Sequence, residues 1–347
     1  MRTKYLGNTV FKMSVIGQGC MGIGGYLNSD HEQDVKYINA LRYGIDLGMT
    51  FIDTAEVYGQ GHSEEIVGQA IAGIRKNVFI ATKVSPENLA YEDVISSAER
   101  SLRRLKTDYI DLYQIHWPNP KIPLEETARG VGKLVKDGKI RHFGVSNFSV
   151  REIKELQRLL ADISIVSLQA EYNLFDRSIE YEMLPFCEQN NITIIAYSPL
   201  DQGRITNDNN KKNVLDSIAD HNKVTPAQVV LNWLISHPAV MAIPKAASRN
   251  HSLENAQAAD FGITVEEYSE ISRIFINEII NVPVDQIKVS LDGEGNRKVY
   301  QTIDDAIANK LNFCPSPSDL AQNLLLGDFF KPVRLIKTKD GAGKYVY

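Results

Sequence analysis

The stretch TFIDTAEVYGQGHSEEIVGQAI, residues 50–71, decides the fold. It begins with an apolar pair, Phe51-Ile52, that is typical of a buried parallel strand, and Asp53 stands where that strand would end. Tyr58 follows on a loop that contains Gly-Gln-Gly, and Ser63 is a predicted helix N-cap with two glutamates directly after it. An acid at a strand end, a tyrosine on a loop and a capped helix together predict one wall of an α/β active site.

The same alternation of short apolar runs and helical patterns continues along the chain. Eight barrel strands are predicted at residues 14–17, 50–54, 78–84, 109–116, 140–146, 167–172, 192–198 and 241–245. Between them, Ser149…Glu152, Thr225…Gln228 and Thr264…Glu267 have the spacing of capping boxes at helix starts. Eight strands that alternate with helices over about 270 residues predict an α/β fold with a parallel sheet closed into a (β/α)8 TIM barrel. A doubly wound open sheet is the alternative.

The two ends of the chain lead to further predictions. Residues 1–17 contain two strand-like runs around Gly7-Asn8, which predicts an N-terminal β-hairpin. Patterned apolar sequence also continues after the barrel, including a β-hairpin pattern around Asp340-Gly341. We therefore expect a barrel over residues 1–280 and a small α+β appendix over residues 281–347.

Composition and charge argue against several classes of protein. The 347 residues are 43% hydrophobic and 23% charged, as in globular proteins that bury a large core. A net charge of -5 argues against a nucleic-acid surface. The three cysteines have no metal-binding spacing and fit a reducing compartment. With no signal-peptide core at the start and no apolar run near ~18 residues, we expect a cytoplasmic protein without a membrane span.

The ends of the predicted strands are informative because the loops after the strands build the site of such a barrel. Polar or ionisable residues stand there in otherwise apolar segments: Asp53, Lys83, His116, Ser146, Asn147, Gln169, Tyr197, Ser198 and Lys245. A lone histidine or tyrosine is most often a core residue, and a lone lysine or aspartate is most often part of a surface ion pair. Their joint occurrence at strand ends favours a catalytic site.

These residues suit proton transfer to an oxygen atom. A phenol has a pKa near ~10, and a lysine ammonium beside Tyr58 is expected to lower that pKa. Asp53 can neutralise Lys83, and His116 can donate a hydrogen bond to a carbonyl oxygen. Such a site polarises C=O and delivers a proton, but it supplies no electrons, so a cofactor must supply a hydride.

Seven motifs in order carry a family resemblance: FIDTAEVYG, ATKV, QIHWP, GVSNF, SLQAEYNLFDR, IIAYSPL and IPKAASRNHSLEN. Over residues 3–278 the chain resembles the aldo-keto reductase superfamily. The resemblance implies NADPH-dependent, reversible reduction of aldehydes or ketones to alcohols, with the cofactor extended across the barrel mouth. It makes Tyr58 the general acid/base, with Asp53, Lys83 and His116 completing a tetrad.

The resemblance also implies binding positions, and no metal is expected. The implied cofactor contacts are Gly19, Cys20, Met21, Asp53, Ser146, Asn147, Gln169, Tyr197, Ser198, Pro199, Leu200, Gln202, Lys245, Ser248, Arg249, Glu254 and Asn255. The implied substrate pocket contains Met21, Tyr26, Tyr58, His116 and Trp117. Tyr197 matches the ring that stacks on the nicotinamide. Lys245, Ser248 and Arg249 favour a 2′-phosphate, hence NADPH, with NADH as the alternative.

Other functions remain open from the sequence. Some barrels of this superfamily are cofactor-binding auxiliary subunits of ion channels, which is the alternative to an enzyme. VPVDQI, residues 282–287, resembles the opening strand of ParB-like partition domains, but the basic motif of those domains is missing. The other interpretation of residues 281–347 is a domain remnant that packs on the barrel or forms an oligomer contact. The expected partner is a small carbonyl compound; nucleic acid is not expected, and both monomer and homo-oligomer are open.

Overall fold

Short strands form the centre of the fold. They are β1 (Thr3–Tyr5), β2 (Lys12–Ser14), β3 (Gln18–Gly19), β4 (Phe51–Asp53), β5 (Phe79–Val84), β6 (Ile110–Ile115), β7 (Ile140–Ser146), β8 (Ile165–Glu171), β9 (Thr193–Tyr197), β10 (Val240–Ala242), β11 (Thr338–Lys339) and β12 (Tyr345–Val346). From β3 to β10, each strand pairs in parallel with the next. Bridges from Ile16 to Ala242 and from Gly19 to Lys245 close the ring. The sheet is therefore the expected (β/α)8 barrel, and the open-sheet alternative is excluded.

The computed structural model describes residues 1–203 and 209–275 and the backbone of β11 and β12. The chain divides into two units, Met1–Ile276 and Asn277–Tyr347. In the second unit, β11 and β12 pair antiparallel on either side of the predicted turn. The other predictions for the appendix, including the ParB-like stretch, lie outside the described residues.

Helices alternate with the barrel strands. They are α1 (Asp34–Asp46), α2 (His62–Ala70), α3 (Tyr91–Leu105), α4 (Leu124–Lys136), α5 (Val150–Leu159), α6 (Met183–Gln189), α7 (Asn209–Asn222), α8 (Pro226–Ser236), α9 (Arg249–Gln257) and α10 (Val265–Ile274), with 3₁₀ turns at Tyr58–Gly61, Arg75–Asn77, Pro86–Asn88, Ser178–Glu180 and Asp201–Gly203. The three expected capping boxes, at Ser149, Thr225 and Thr264, are confirmed. None of the helices in the described ranges is both long and apolar enough to cross a membrane.

Two local predictions were wrong. The strand expected at residues 14–17 is divided, because Ser14 ends β2 and the first barrel strand, β3, begins further along the chain. Ser63 does not cap α2, which starts one residue earlier and has no side-chain cap. The Ser63 hydroxyl is instead buried and donates to the carbonyl oxygen of Cys20 at 3.3 Å. In both cases contacts with distant segments override the local pattern.

One end of the barrel is closed by the N-terminal strands. β1 and β2 pair antiparallel, with Thr3 opposite Ser14. Leu6 and Met13 are buried in one apolar cluster with Phe51, Phe79 and Met241. Phe51 and Phe79 begin their strands, so this cluster fills the end where the strands start. An open site must therefore lie at the opposite end, where the strands finish.

Lys4 ties β1 to the barrel wall. Its Nζ atom donates to the backbone carbonyl oxygens of Ile235, His237 and Val240 at 2.6, 2.6 and 2.7 Å. Lys4→Met should lower the free energy of unfolding by about 1–3 kcal/mol, because these oxygens lose their donor. Lys12→Met, at an exposed position on β2, should change it by no more than about 0.5 kcal/mol. Urea denaturation followed by circular dichroism measures both, and equal effects would contradict this role of Lys4.

Candidate active site

A buried ion pair lies at the open end of the barrel. Asp53 is the last residue of β4, and Lys83 lies near the end of the adjacent strand β5. The Lys83 Nζ atom is 2.6 Å from Asp53 Oδ1, and the two side chains are 0% and 2% exposed. Burial acts to lower the pKa of Lys83, but Asp53 and the nearby Tyr58 outweigh it, so the pKa is raised. Lys83 therefore remains a cation inside the barrel.

Tyr58 is the phenol that this cation faces. Lys83 Nζ donates to the Tyr58 hydroxyl at 3.4 Å. The sequence led us to expect a lowered pKa for Tyr58, and Lys83 does act in that direction. Burial has the larger effect, however, and the pKa of Tyr58 is raised, so that expectation was wrong. Tyr58 stays protonated at neutral pH and is placed to donate a proton.

The loop after Tyr58 has a left-handed backbone. The three residues of the Gly-Gln-Gly segment 59–61 have φ values of 54°, 56° and 94°. The Gly59 N–H donates to the carbonyl oxygen of Tyr26 at 3.0 Å. A Cβ atom on Gly59 would lie 2.2 Å from the carbonyl oxygen of Gly24, which is too close for any other residue type. The glycines therefore hold the Tyr58 loop against the loop that follows β3.

His116 follows β6 and lies beside Tyr58. The two ring centroids are 5.7 Å apart, and the rings are edge to face at 79°. Burial, reinforced by the charge of Lys83, lowers the pKa of His116 to about 3. The imidazole is therefore neutral across the physiological range. It can donate one N–H hydrogen bond to an oxygen, but it cannot serve as a cationic acid.

The residues expected at the nicotinamide form a linked group. Gln169 Nε2 donates to Asp53 Oδ2 at 2.8 Å. Asn147, with φ of 62°, donates to the Ser146 hydroxyl at 3.0 Å and accepts from the Tyr197 hydroxyl at 2.9 Å. Tyr197 is half-buried, and this hydrogen bond anchors its hydroxyl. An aromatic face beside amide groups fits a planar ring that carries a carboxamide.

The residues expected at the adenosine end lie around the start of α9. Lys245 and Arg249 are exposed, and Ser248 is the N-cap of α9, accepting from the backbone N–H of His251. Asn255 Nδ2 donates to the Lys245 carbonyl oxygen at 3.4 Å. A helix N-terminus flanked by two cations fits a phosphate group.

The other residues expected to contact the cofactor or the substrate have varied surroundings. Glu254 is engaged away from this group, since its Oε1 accepts from the Thr225 hydroxyl at 2.7 Å. Gly19 and Cys20 lie at the end of β3, where burial raises the pKa of the Cys20 thiol. Met21, Tyr26 and Trp117 are exposed, Pro199 is buried and Leu200 and Ser198 are half-buried. The side chain of Gln202 lies outside the described residues.

Two polar residues of this region were not expected from the sequence. Gln114 Nε2 is 3.4 Å from Asp53 Oδ2, and Gln114 lies opposite Lys83 in the register of β5 and β6. Its position two residues before His116 was the available signal, because alternate residues of a strand share a face. Asn173 Nδ2 donates to the Ser198 carbonyl oxygen at 3.2 Å, and no spacing rule points to it.

Comparison with known proteins places the barrel in a family. The family model for the aldo/keto reductase family matches residues 15–276. Methylglyoxal reductase YeaE of Escherichia coli (strain K12) is 41% identical over 264 residues, which are 76% of this chain and 91% of that protein. The match ends before residues 282–287, so it gives no support to the ParB-like resemblance.

Solved structures agree with the sequence match. A thermostable aldo-keto reductase, Tm1743, in complex with the inhibitor epalrestat is 41% identical, with a TM-score of 0.76 over 79% of this chain and 100% of its own. The aldo/keto reductase of Klebsiella pneumoniae in complex with NADP and acetate is 39% identical, with a TM-score of 0.70 over 79% of this chain and 95% of its own. The family match, these relatives and the strand order of the barrel show that the chain belongs to the aldo/keto reductase family.

Proposed function

We propose that this protein is an NADPH-dependent carbonyl reductase that converts small aldehydes or ketones to alcohols, with Tyr58 as the proton donor. The observation that carries the proposal is the Lys83 ammonium, fully buried between Asp53 and the Tyr58 hydroxyl. A cation in that position stabilises the phenolate that forms when Tyr58 gives up its proton. Membership of a reductase family supports the same reaction.

The residues of the chain supply the proton half of the reaction. A nicotinamide held at the barrel mouth would supply the hydride for the carbonyl carbon. Tyr58 transfers its proton to the carbonyl oxygen, which becomes the alcohol oxygen, and the negative charge left on the phenol oxygen faces the Lys83 ammonium, which lies 3.4 Å from that oxygen in the structure. Neutral His116 can donate its N–H to the same oxygen while negative charge develops there. Water then returns a proton to Tyr58.

The choice of cofactor and substrate rests on the rim of the barrel. Lys245 and Arg249 beside the N-terminus of α9 suit a 2′-phosphate, and the Klebsiella relative is in complex with NADP. Met21, Tyr26 and Trp117 are exposed apolar side chains on the loops after β3 and β6, and we assign them to the substrate pocket. The similarity to a methylglyoxal reductase makes small 2-oxoaldehydes the first substrates to test.

Removal of the Tyr58 hydroxyl tests the proposed acid. Tyr58→Phe should lower kcat for methylglyoxal by about 10²–10⁴-fold, because general acid catalysis is lost. NADPH binding, followed by quenching of protein fluorescence, should persist. Tyr181→Phe, at an exposed position, is the matched control and should leave kcat unchanged. Wild-type turnover by Tyr58→Phe would disprove the assignment. NADPH binding without turnover by the wild type would favour an auxiliary-subunit role.

The pKa directions predict the pH profile. Reduction needs protonated Tyr58, and its raised pKa keeps it protonated below about pH 10. His116, with a pKa lowered to about 3, stays neutral between about pH 5 and 8. The kcat/KM for aldehyde reduction should therefore show no histidine inflection in that range and should fall only in strongly alkaline solution. If kcat/KM instead shows an inflection at about pH 6.5, and His116→Gln removes it, the assignment of a neutral His116 is contradicted.

Charge removal at the start of α9 tests the choice of cofactor. Lys245→Met and Arg249→Met should each raise KM for NADPH by about tenfold, as expected from one charge-assisted hydrogen bond. KM for NADH should change little, because NADH lacks the 2′-phosphate. Arg158→Met, at an exposed position on α5, is the control for loss of one positive charge. Equal changes in KM for the two cofactors would place these cations away from the 2′-phosphate.

A further inference from the structure

Three side chains with metal-ligand chemistry meet outside the tetrad. Asp34 is the first residue of α1, His31 lies three residues before it, and His62 is the first residue of α2. One potential ligand atom from each lies within 4.8 Å of the other two. The ligands come from two helix starts that are far apart in sequence, so no spacing pattern predicted the cluster.

The distances between these atoms suit a small coordination sphere. His62 Nε2 is 2.9 Å from Asp34 Oδ1, and His31 Nδ1 is 3.6 Å from Asp34 Oδ2. Ligands that bind tetrahedral Zn²⁺ at about 2.0–2.2 Å lie roughly 3.3 Å from one another. The two observed separations lie on either side of that value. The His31 side chain is 66% exposed, so it is free to close the remaining gap.

A fourth residue orients the buried histidine. Glu65 Oε2 is 2.8 Å from His62 Nδ1, and the His62 side chain is only 5% exposed. A carboxylate that holds Nδ1–H leaves the Nε2 lone pair for a metal, as in the carboxylate–histidine pairs of zinc sites. His62 Nε2 is the atom that faces Asp34. A metal ion could replace the Nε2 proton that Asp34 accepts in its absence, and the ring orientation is already the one that a metal ligand needs.

Ion pairs with Asp34 and Glu65 are the alternative explanation of these contacts. A protonated His62 between Asp34 and Glu65 accounts for both of its short contacts. His31 adds a second imidazole at the same carboxylate, since its Nδ1 faces Asp34 and its ring centroid lies 3.8 Å from that of His62. Two imidazoles that converge on one carboxylate form a two-histidine, one-carboxylate donor set.

We propose that His31, Asp34 and His62 bind a divalent transition-metal cation, with Zn²⁺ as the reference ion. The dication, two neutral imidazoles and the carboxylates of Asp34 and Glu65 sum to zero charge. The positive ends of α1 and α2 oppose a cation, and the two carboxylates offset that effect. Water completes the coordination, as in zinc sites with three protein ligands.

A metal at this position would join two loops at the barrel mouth. α1 follows the loop after β3, and α2 follows the loop that carries Tyr58. Gln60 Nε2 already donates to Asn28 Oδ1 between these loops at 3.1 Å. The bound ion would therefore clamp the Tyr58 loop, which is a structural role that does not depend on the reaction catalysed.

Calorimetric titration of the metal-free full-length protein with Zn²⁺ tests the proposal. At about pH 8, where protons compete less for histidine, we expect one saturable site. Loss of one ligand should weaken binding by about 100-fold or more in His31→Ala and in His62→Ala. Zn²⁺ should also raise the Tm of the wild type but not of His31→Ala, which removes an exposed side chain and should fold normally.

Two control variants separate this site from other ligands. His251→Ala removes an exposed histidine of α9, and Cys314→Ser removes a thiol that lies outside the described residues. Both should bind Zn²⁺ as the wild type does. Unchanged binding by His31→Ala and His62→Ala, or loss of binding in either control, would overturn the proposal. Absence of any saturable binding would leave His62 as an ion-paired imidazolium and would equally overturn it.

Discussion

The ion pair between Lys83 and Asp53 is the constraint on which the site depends. An unpaired ammonium inside the barrel would cost several kcal/mol, so it requires a carboxylate at a fixed distance. Parallel register provides that distance, because β4 and β5 are neighbours in the ring. Asp53 also accepts from Gln169 on β8 and lies near Gln114 on β6. One carboxylate therefore gathers side chains from three other strands of a closed barrel.

The charge of Lys83 acts on two neighbours in ways that suit a proton donor. Burial raises the pKa of Tyr58 more than Lys83 lowers it, so the resting phenol is protonated. The same charge and the same burial keep His116 neutral. The ammonium interacts most strongly with Tyr58 only after the proton has left, because a phenolate attracts it far more than a phenol does. In the proposed reaction, stabilisation by Lys83 is thus concentrated where the transition state develops charge.

The barrel and its strand-end residues could be predicted because they follow from local pattern and one geometric rule. Parallel strands of a closed barrel all finish at one end, so residues such as Asp53 and Lys83 must meet. The position of β3 could not be predicted, since it depends on pairing with residues beyond position 240. Glu64 was expected only as a charge next to a helix N-cap, yet it is buried and paired at 2.6 Å with Arg104 of α3. Cap patterns contain no information about such tertiary partners.

The position of Tyr58 depends on more than its own strand. Its loop, residues 59–61, has a left-handed backbone, and glycine backbone of this kind loses much conformational freedom on folding. The loop is held by hydrogen bonds to Tyr26 and Asn28, and the helix after it is held by the contact between His62 and Asp34. All three contacts reach residues 26–34, which span the loop after β3 and the start of α1. The proposed proton donor is therefore oriented by a neighbouring loop, and loosening of that loop would displace Tyr58 even with the buried ion pair intact.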